Sequence, residues 1–306
     1  MKALSRRKVL AGFAVAGASK LPAAPTVERL RAGKSTVEVT IAEGALDIGR
    51  PAVMEWVTKA VRAVESYYGR FPVPEAHVQV QPVEGRNSVF SGVTFGRVPA
   101  LTQISVGSLI TQEGLDSDWV MCHELVHLAF PSVPRRHHWM EEGLSTYIEP
   151  LARLHLKQIS EDAFWRDMIR DMPQGLPKDG DRGMDNTHTW GRTYWGGAIY
   201  CLQAEIAIRE RTGGKRGLQH ALRGILDRVG SIQEDVELEP VLAAGDKATG
   251  TTVMMELYGQ MKDEPMPMDL PGMWKSLGVS WVGGRVSYND KAKLAGVRRA
   301  IVSPLA

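Results

Sequence analysis

Two histidines and a glutamate stand at a spacing that can hold and use a metal ion. The chain contains His123, Glu124 and His127 as His-Glu-x-x-His, in a segment with helical periodicity that Asp116 or Ser117 would cap. Four residues advance a helix by about 400°, so the two imidazoles lie one turn apart on one face and can share a zinc ion. Glu124 is rotated by about 100° from His123, where it can accept a proton from water that zinc has made acidic. The spacing predicts the core of a hydrolytic zinc site.

Such a site needs a third protein ligand and one open position. Pro131 and Pro134 end the first helix, and a second helical segment over 139–149 carries Glu141 and Glu142 in its first turn. Acidic side chains are also favoured there by the helix dipole, so the residues alone do not choose between these two carboxylates. The sequence therefore predicts a carboxylate ligand at the start of the second helix.

The order of these motifs resembles the gluzincin zinc metallopeptidases, in particular the catalytic domain of the aminopeptidase N and glycyl aminopeptidase families. The match consists of His-Glu-Leu-Val-His at 123–127 and Trp-x-x-Glu-Gly-x-x-x-Tyr at 139–147. Gly143 sets its register, so the resemblance implies that Glu142 is the third ligand of a single zinc ion and that Glu124 is the general base. The implied fold is a thermolysin-like zincin.

A third segment extends the resemblance. Residues 193–198 are similar to the Tyr-x-Lys-Gly-Ala segment of the same families, which implies that Tyr194 donates a hydrogen bond to the oxyanion; Gly196 stands in place of the Lys. Upstream the chain departs from the pattern. Neither 84–87 nor 91–96 matches the Gly-rich motif whose Glu anchors the amino group of the substrate in these families.

The resemblance covers about 116–229 and implies a zinc metallopeptidase that hydrolyses bonds in a peptide or protein substrate. Two alternatives stay open. The same zinc site could hydrolyse a non-peptide substrate, because water activated by zinc is not selective for amides, or the protein could be a non-catalytic periplasmic zinc-binding factor. Glu124 argues against the last alternative, since a closed structural site has no use for a general base.

Other polar side chains near the motifs have simpler explanations. Glu149 shares a helix face with Glu142 and either orients a ligand histidine or lies solvated at the surface. The basic run 135–138 is predicted to be a solvated turn, with substrate contact as the alternative. Cys122 and Cys201 lie in apolar helical contexts, where we expect buried free thiols rather than a disulfide.

The first 18 residues have the composition of an export signal. An apolar run over 9–18 is too short to span a bilayer and follows four basic residues: Lys2, Arg6, Arg7 and Lys8. The Arg pair resembles the twin-arginine signal, which implies passage through the twin-arginine export machinery to a periplasmic or secreted location in a bacterium, with no stable membrane anchor after cleavage. Cleavage would leave 33 of 37 basic residues against 35 acidic ones and change the net charge from +2 to −2.

The remaining chain divides into three parts: a sheet-rich part at 25–115, a zinc-binding helical part at 116–230, and a C-terminal helical extension and tail at 231–306. Alternating apolar residues predict strands in the first part, at 36–41, 77–83 and within 88–106, and helical spacing predicts a helix at 51–68. From 119 onwards helical periodicity dominates, over 119–130, 139–155, 161–172, 194–211, 218–229 and 253–261.

These patterns predict an α+β fold in which a small N-terminal sheet precedes a mainly helical catalytic domain. The 306 residues are 43% apolar, which is enough for a substantial core. The turn-rich segment at 173–190 is long for a loop in a compact domain, so we expect it to be functional or mobile. Lys and Arg form no cluster with interleaved aromatic residues after the signal, which argues against nucleic-acid binding.

Overall fold

The computed structural model describes residues 26–42, 44 and 46–304, so the predicted export signal at 1–18 lies outside the described residues. Within them a five-stranded sheet comes first and helices follow, which confirms the predicted α+β class. The boundaries near 115 and 230 stay predictions. In the part of the chain that the structure describes, no helix combines the length and the apolar composition needed to cross a membrane.

The sheet is mixed and has the strand order β1-β2-β3-β5-β4. Its strands are β1 (Thr26–Ala32), β2 (Ser35–Ile41), β3 (Glu75–Val83), β4 (Val89–Phe95) and β5 (Ala100–Gly107). The parallel strands β2, β3 and β5 form the centre, and β1 and β4 pair antiparallel at the two edges. In β2 the predicted alternation is observed, because Val37, Val39 and Ile41 are buried. The edge position of β4 matters below, since this strand borders the site.

Helix α1 (Arg50–Tyr68) connects β2 to β3 and contributes Val53, Val57 and Val64 to the core. Pro51 lies at its first turn, where a missing N–H costs nothing, and Gly69 ends it at a φ of 77°. After the sheet, the chain forms α2 (Gln112–Asp116), α3 (Val120–His127), α4 (His138–His155), α5 (Glu161–Asp171), a π-helical turn (Arg192–Gly196), α6 (Gly197–Arg211) and α7 (Leu218–Arg228).

The C-terminal part adds elements of which the periodicity predicted only one. It contains α8 (Leu238–Thr249), α9 (Val253–Met261), α10 (Leu270–Leu277), a hairpin of β6 (Val279–Val282) and β7 (Arg285–Tyr288), and α11 (Ala295–Val302). Helix α9 agrees with its predicted bounds. The others have no counterpart in the predicted segments, and residues such as Leu238 and Leu277 bury them against the core.

The start of α3 differs from the prediction. Asp116 ends the separate helix α2 and Ser117 is the C-cap of that helix, so neither caps α3. The N-cap residue is Trp119, and Asp118 before it supplies the carboxylate that accepts the free N–H groups of Val120 at 3.0 Å and Met121 at 3.1 Å. The short helix α2 holds the two predicted residues away from this position.

Candidate metal centre

The structure brings His123, His127 and Glu142 together. One potential ligand atom from each residue lies within 4.8 Å of the others. Glu142 Oε2 lies 3.1 Å from His123 Nε2 and 3.6 Å from His127 Nε2, and all three side chains are largely buried. Two imidazole nitrogens and one carboxylate oxygen are a donor set that zinc accepts. Helical spacing in α3 aligns the two histidines, and the packing of α4 on α3 adds the carboxylate.

The charges of this cluster suit a cation. Burial by itself would raise the pKa of Glu142, but hydrogen bonds from the imidazoles of His123, His127 and His138 outweigh it and hold that pKa far below its usual range. Burial lowers the pKa of His123. At His127 burial acts in the same direction, but the hydrogen bond with the Glu142 carboxylate outweighs it and the pKa of His127 is raised.

Glu141 and Glu142, which the residues alone could not rank, have different surroundings. Glu141 Oε1 accepts the backbone N–H of Val133 at 3.3 Å, and its Oε2 lies 3.0 Å from His138 Nδ1. Glu142 faces the two histidines of α3. The geometry therefore places Glu142, and not Glu141, in the cluster.

Glu124 lies outside the ligand cluster and is pressed against the edge strand β4. A Cβ atom at Gly92 would lie 2.5 Å from Glu124 Cγ, so only glycine allows this approach. The Thr94 hydroxyl donates to Glu124 Oε2 at 2.9 Å and lies 3.1 Å from the hydroxyl of Thr102 on β5. The strand thus holds the carboxylate in one orientation beside the histidines.

Thr94 and Gly92 were not identified from the sequence as residues that contact the site. The sequence predicts a strand in this segment, and the segment lacks the Gly-rich motif with a Glu that would have marked it as part of a site. Thr94 is separated by 30 positions from Glu124, and no local pattern links two residues at that distance. The antiparallel pairing of β4 with β5 creates this contact.

Two glycines allow α4 and the start of α6 to touch. A Cβ at Gly143 would lie 2.3 Å from the Cα of Gly197, and a Cβ at Gly197 would lie 2.2 Å from the carbonyl oxygen of Trp139. Gly143 directly follows Glu142, and Gly197 lies three residues after Tyr194. This backbone contact therefore positions Glu142 and Tyr194 in the same site, although they belong to different helices.

Tyr194 lies in the π-helical turn, a rare element that is often found at functional sites. Its ring stacks on His123 at 6.1 Å between centroids and on Trp190 at 5.4 Å. Burial, together with the nearby Glu142 carboxylate, raises the pKa of Tyr194 to about 12. The phenol therefore keeps its proton at neutral pH and can donate a hydrogen bond in the site.

The turn-rich segment 173–190 is tied to the turn that carries Tyr194. Arg192 donates to the carbonyl oxygen of Gly175 at 2.6 Å and forms a buried ion pair with Asp181 at 2.7 Å. A buried pair of this kind is costly to break, because either partner alone would be an uncompensated charge. The segment thus supports the position of Tyr194.

A cavity of about 540 Å³ opens beside the cluster. Its lining combines aromatic residues with charged ones and includes Trp119, His123, Glu149, Arg153, Trp190 and Tyr194. Concave sites with apolar walls and a few convergent polar groups are typical of ligand-binding sites in enzymes. The cavity therefore reaches the cluster at His123, next to Tyr194.

No protein-family model matches this chain, and no curated protein sequence matches it. Solved structures do. An aminopeptidase N family protein from Idiomarina loihiensis superposes with a TM-score of 0.66 at 13% identity, over 83% of this chain and 49% of the other. An M1 zinc metallopeptidase from Deinococcus radiodurans superposes with a TM-score of 0.52 at 17% identity, over 80% of this chain and 54% of the other.

The chain has a metallopeptidase-like fold. A mutant of the Deinococcus radiodurans enzyme bound to a Tyr-Ser-Ala substrate is similar as well, with a TM-score of 0.54 at 16% identity. At such identities the comparison shows the fold alone. The chain spans about half the length of these structures.

Two expectations about residues near the cluster do not match the geometry. Glu149 is neither solvated nor bonded to a histidine in the described structure, because it is buried and pairs with Arg153 Nη1 at 2.7 Å. Burial, partly offset by Arg153, raises the pKa of Glu149 to about 7.

The run 135–138 is not a solvated turn throughout, since His137 is fully buried. His138 is half exposed, and its Nε2 lies 3.2 Å from Glu142 Oε1.

Proposed function

We propose that the protein is a zinc-dependent peptidase in which His123, His127 and Glu142 hold one zinc ion. The observation that carries this proposal is the convergence of these three side chains next to Glu124, which is not part of their cluster, at the edge of an open cavity. Zinc held there would supply Lewis-acid chemistry that polarises a carbonyl oxygen and makes water more acidic.

The residues around the cluster supply the acid–base chemistry. Glu124 accepts a proton from the attacking water and later delivers it to the leaving amine, as a positioned carboxylate can. Thr94 holds one carboxylate oxygen of Glu124 and so orients the other. Tyr194, protonated at neutral pH, donates to the oxyanion that forms when the carbonyl is attacked.

The edge strand β4 favours a peptide substrate over the non-peptide alternative. β4 stands at the end of the sheet order and carries Gly92 and Thr94 against Glu124. An extended peptide can pair with an exposed strand edge through main-chain hydrogen bonds, and this would place a peptide bond near the general base. A small ester has no peptide main chain, so it cannot form these hydrogen bonds with the strand. The separate Glu124 and the open cavity likewise favour catalysis over a purely structural zinc site.

The proposal includes export, which rests on the residues at 1–18 alone. The Arg6-Arg7 pair and the apolar run after it direct a folded protein through the twin-arginine machinery. Replacing both arginines by lysine should leave an uncleaved precursor in the cytoplasmic fraction of a bacterium that has this machinery. Normal processing of that variant would contradict this route.

A zinc analysis combined with a peptide-library assay tests the activity. Wild-type protein should contain zinc and cleave peptides at positions that mass spectrometry identifies. Glu124→Gln should keep its zinc but lose about 100- to 10,000-fold in kcat, because the general base is removed while the ligands stay. Glu113→Gln, which alters an exposed carboxylate on α2, should behave as wild type.

Three outcomes would contradict the proposal. Full activity of Glu124→Gln would exclude the proposed base. Turnover confined to esters and non-peptide amides would favour the second reading of the same zinc site. Bound zinc without turnover of any member of a broad substrate panel would favour a non-catalytic zinc-binding factor.

A further inference from the structure

A second histidine–carboxylate cluster lies between the start of α4 and the start of α8. A ring nitrogen of His137 and one carboxylate oxygen each from Glu237 and Glu239 lie within 4.8 Å of one another. Glu237 is the N-cap residue of α8, and Glu239 lies in the first turn of that helix. His137 immediately precedes α4. The three residues thus come from two segments that are about 100 positions apart in the chain.

Asp185 fixes the orientation of the His137 ring. Asp185 Oδ1 accepts from His137 Nδ1 at 3.0 Å and from Trp139 Nε1 at 2.8 Å, and its Oδ2 accepts from the Tyr258 hydroxyl at 2.9 Å. With these donors around it, the carboxylate is the acceptor, so Nδ1 of His137 carries the proton. The lone pair of the neutral ring is therefore on Nε2.

His137 Nε2 has no hydrogen-bond partner in the described structure. Water cannot serve as one from the surface, because the His137 side chain is 0% exposed. A buried polar atom without a partner costs free energy unless a ligand compensates it. Nδ1 is occupied by Asp185, so Nε2 is the nitrogen that remains for the cluster with Glu237 and Glu239. Carboxylate oxygens of Glu237 and Glu239 lie within 4.8 Å of a ring nitrogen of His137, so a cation bound to Nε2 would give all three groups a partner.

We propose that His137, Glu237 and Glu239 form a second binding site for a divalent transition-metal ion of the zinc type. Imidazole nitrogen excludes calcium and magnesium as preferred ions, and two carboxylates with one imidazole suit zinc. A histidine whose other nitrogen donates to a carboxylate is the usual arrangement of a metal-bound imidazole, and Asp185 supplies that carboxylate. This site does not depend on the proposed peptidase activity.

One neighbouring cation competes for the site. Arg136 Nη2 lies 3.0 Å from Glu237 Oε2, and both side chains are more than half exposed. An exposed pair of this kind contributes little, so it yields to an ion that bridges three residues. Glu239 is half-buried and has no such competitor among the ion pairs of the described residues, which makes it the stronger carboxylate ligand.

The site would act on the peptidase centre by holding the start of α4. His137 and Glu142 are separated by little more than one helical turn, and Asp185 belongs to the segment 173–190 that supports Tyr194. An ion at His137 would join α4, α8 and this segment. Its role is structural, and it raises stability because it binds the folded chain and not the unfolded one.

The test counts zinc ions in the full chain after equilibrium dialysis against zinc chloride, with Glu142→Gln as the background that removes the first cluster. This background should retain about one ion per chain. Adding Glu239→Gln or His137→Gln should remove that ion, and zinc should no longer raise the thermal unfolding midpoint. Adding His77→Gln should leave the ion in place. His77 lies 3.5 Å from Glu75 on the surface and lacks a buried, oriented nitrogen, so it is the matched control.

Glu239→Gln keeps the proposal testable if His137→Gln does not fold, because Glu239 lies near the surface and the amide retains its size. An unchanged zinc count after Glu239→Gln, in protein with wild-type circular dichroism, would overturn the proposal and indicate a buried water on Nε2. The result is independent of the first cluster: if Glu142→Gln binds as much zinc as wild type, the peptidase centre fails, while loss of one ion in Glu239→Gln still supports the second site.

Discussion

Two clusters of histidine and glutamate both use residues of the segment 123–142, and they are built differently. The first combines His123 and His127 on one helix with Glu142 on the next. The second combines His137 with two residues of α8, Glu237 and Glu239. Each offers nitrogen and oxygen donors within 4.8 Å, so donor type alone does not separate a catalytic centre from a structural one.

The residues around each cluster distinguish the first cluster from the second. The first cluster has Glu124 beside it as a potential base, Tyr194 as a donor, and a cavity of about 540 Å³ in front of it. In the second, Asp185 binds one nitrogen of the ring, and the other nitrogen is shielded from solvent. A reacting site needs room and a movable proton, whereas a structural ion needs oriented ligands; the second cluster has one oriented, buried nitrogen at His137, and its Glu237 side chain is exposed.

Removing a ligand carboxylate should have the largest effect. Glu142→Gln should weaken zinc binding by more than about 100-fold and abolish the zinc-dependent activity, because a ligand charge is lost from a buried cluster. Glu141→Gln, one position earlier, should keep both zinc and activity. Zinc analysis and peptide hydrolysis measure the contrast, and equal losses in the two variants would show that the geometry assigns the ligand wrongly.

Tyr194→Phe should separate chemistry from metal binding in the first cluster. The phenol hydroxyl is the proposed oxyanion donor, so kcat should fall by roughly 100-fold with little change in KM and none in zinc content. Tyr288→Phe, whose hydroxyl contacts Asp162 on a distant surface, is the control. An unchanged kcat in Tyr194→Phe would make this residue a packing partner of His123 only.

Asp185→Asn should affect the second cluster and spare the first. The amide can present an N–H to His137 Nδ1 and so favour the wrong tautomer, which should weaken the second zinc ion about 10- to 100-fold. Competition with a chelator, measured in the Glu142→Gln background, gives the affinity. Unaltered affinity would mean that Asp185 serves only the packing of Trp139 and Tyr258.

Thr94→Val should have the smallest effect. Loss of the hydroxyl leaves Glu124 without one hydrogen bond, so kcat should fall about 10-fold, which corresponds to the usual contribution of a hydrogen bond to a charged group. Thr94→Ser restores the hydroxyl and should recover most of that loss, and zinc content should not change in either variant. Failure of serine to restore kcat would indicate that the methyl group, through packing on β4, is what matters.

Much of the fold and part of the first cluster could be predicted from local pattern. Alternation in β2 and the helical periodicity of α1 and α9 reflect one buried face each, so neighbouring residues are enough to predict these elements. Helices α10 and α11 have eight residues each, little more than two turns, so packing on the core decides them. Helix α8 has 12 residues and is longer than α9, so its length does not explain why the periodicity failed to predict it. The cap of α3 was assigned to the wrong residue because the separate helix α2 was not foreseen.

The site residues divide in the same way. His123, Glu124 and His127 stand at a spacing whose meaning depends only on the helix, so the sequence is sufficient to propose them. Glu142 and Tyr194 needed the resemblance to a family, and the structure now relates them through the contact of Gly143 with Gly197.

Tertiary packing alone decided the remaining contacts. Thr94 reaches Glu124 because β4 pairs with β5 at the sheet edge. His137 lies near Glu237 and Glu239 because the segment before α8 pairs through its backbone with Ser132, which precedes α4. The same packing buries Glu149 beside Arg153. The position of Glu149 on α4 does not by itself decide whether its side chain is buried or exposed. Local spacing specifies which atoms share a helix face, and only the packed chain specifies which faces meet and which groups lose access to water.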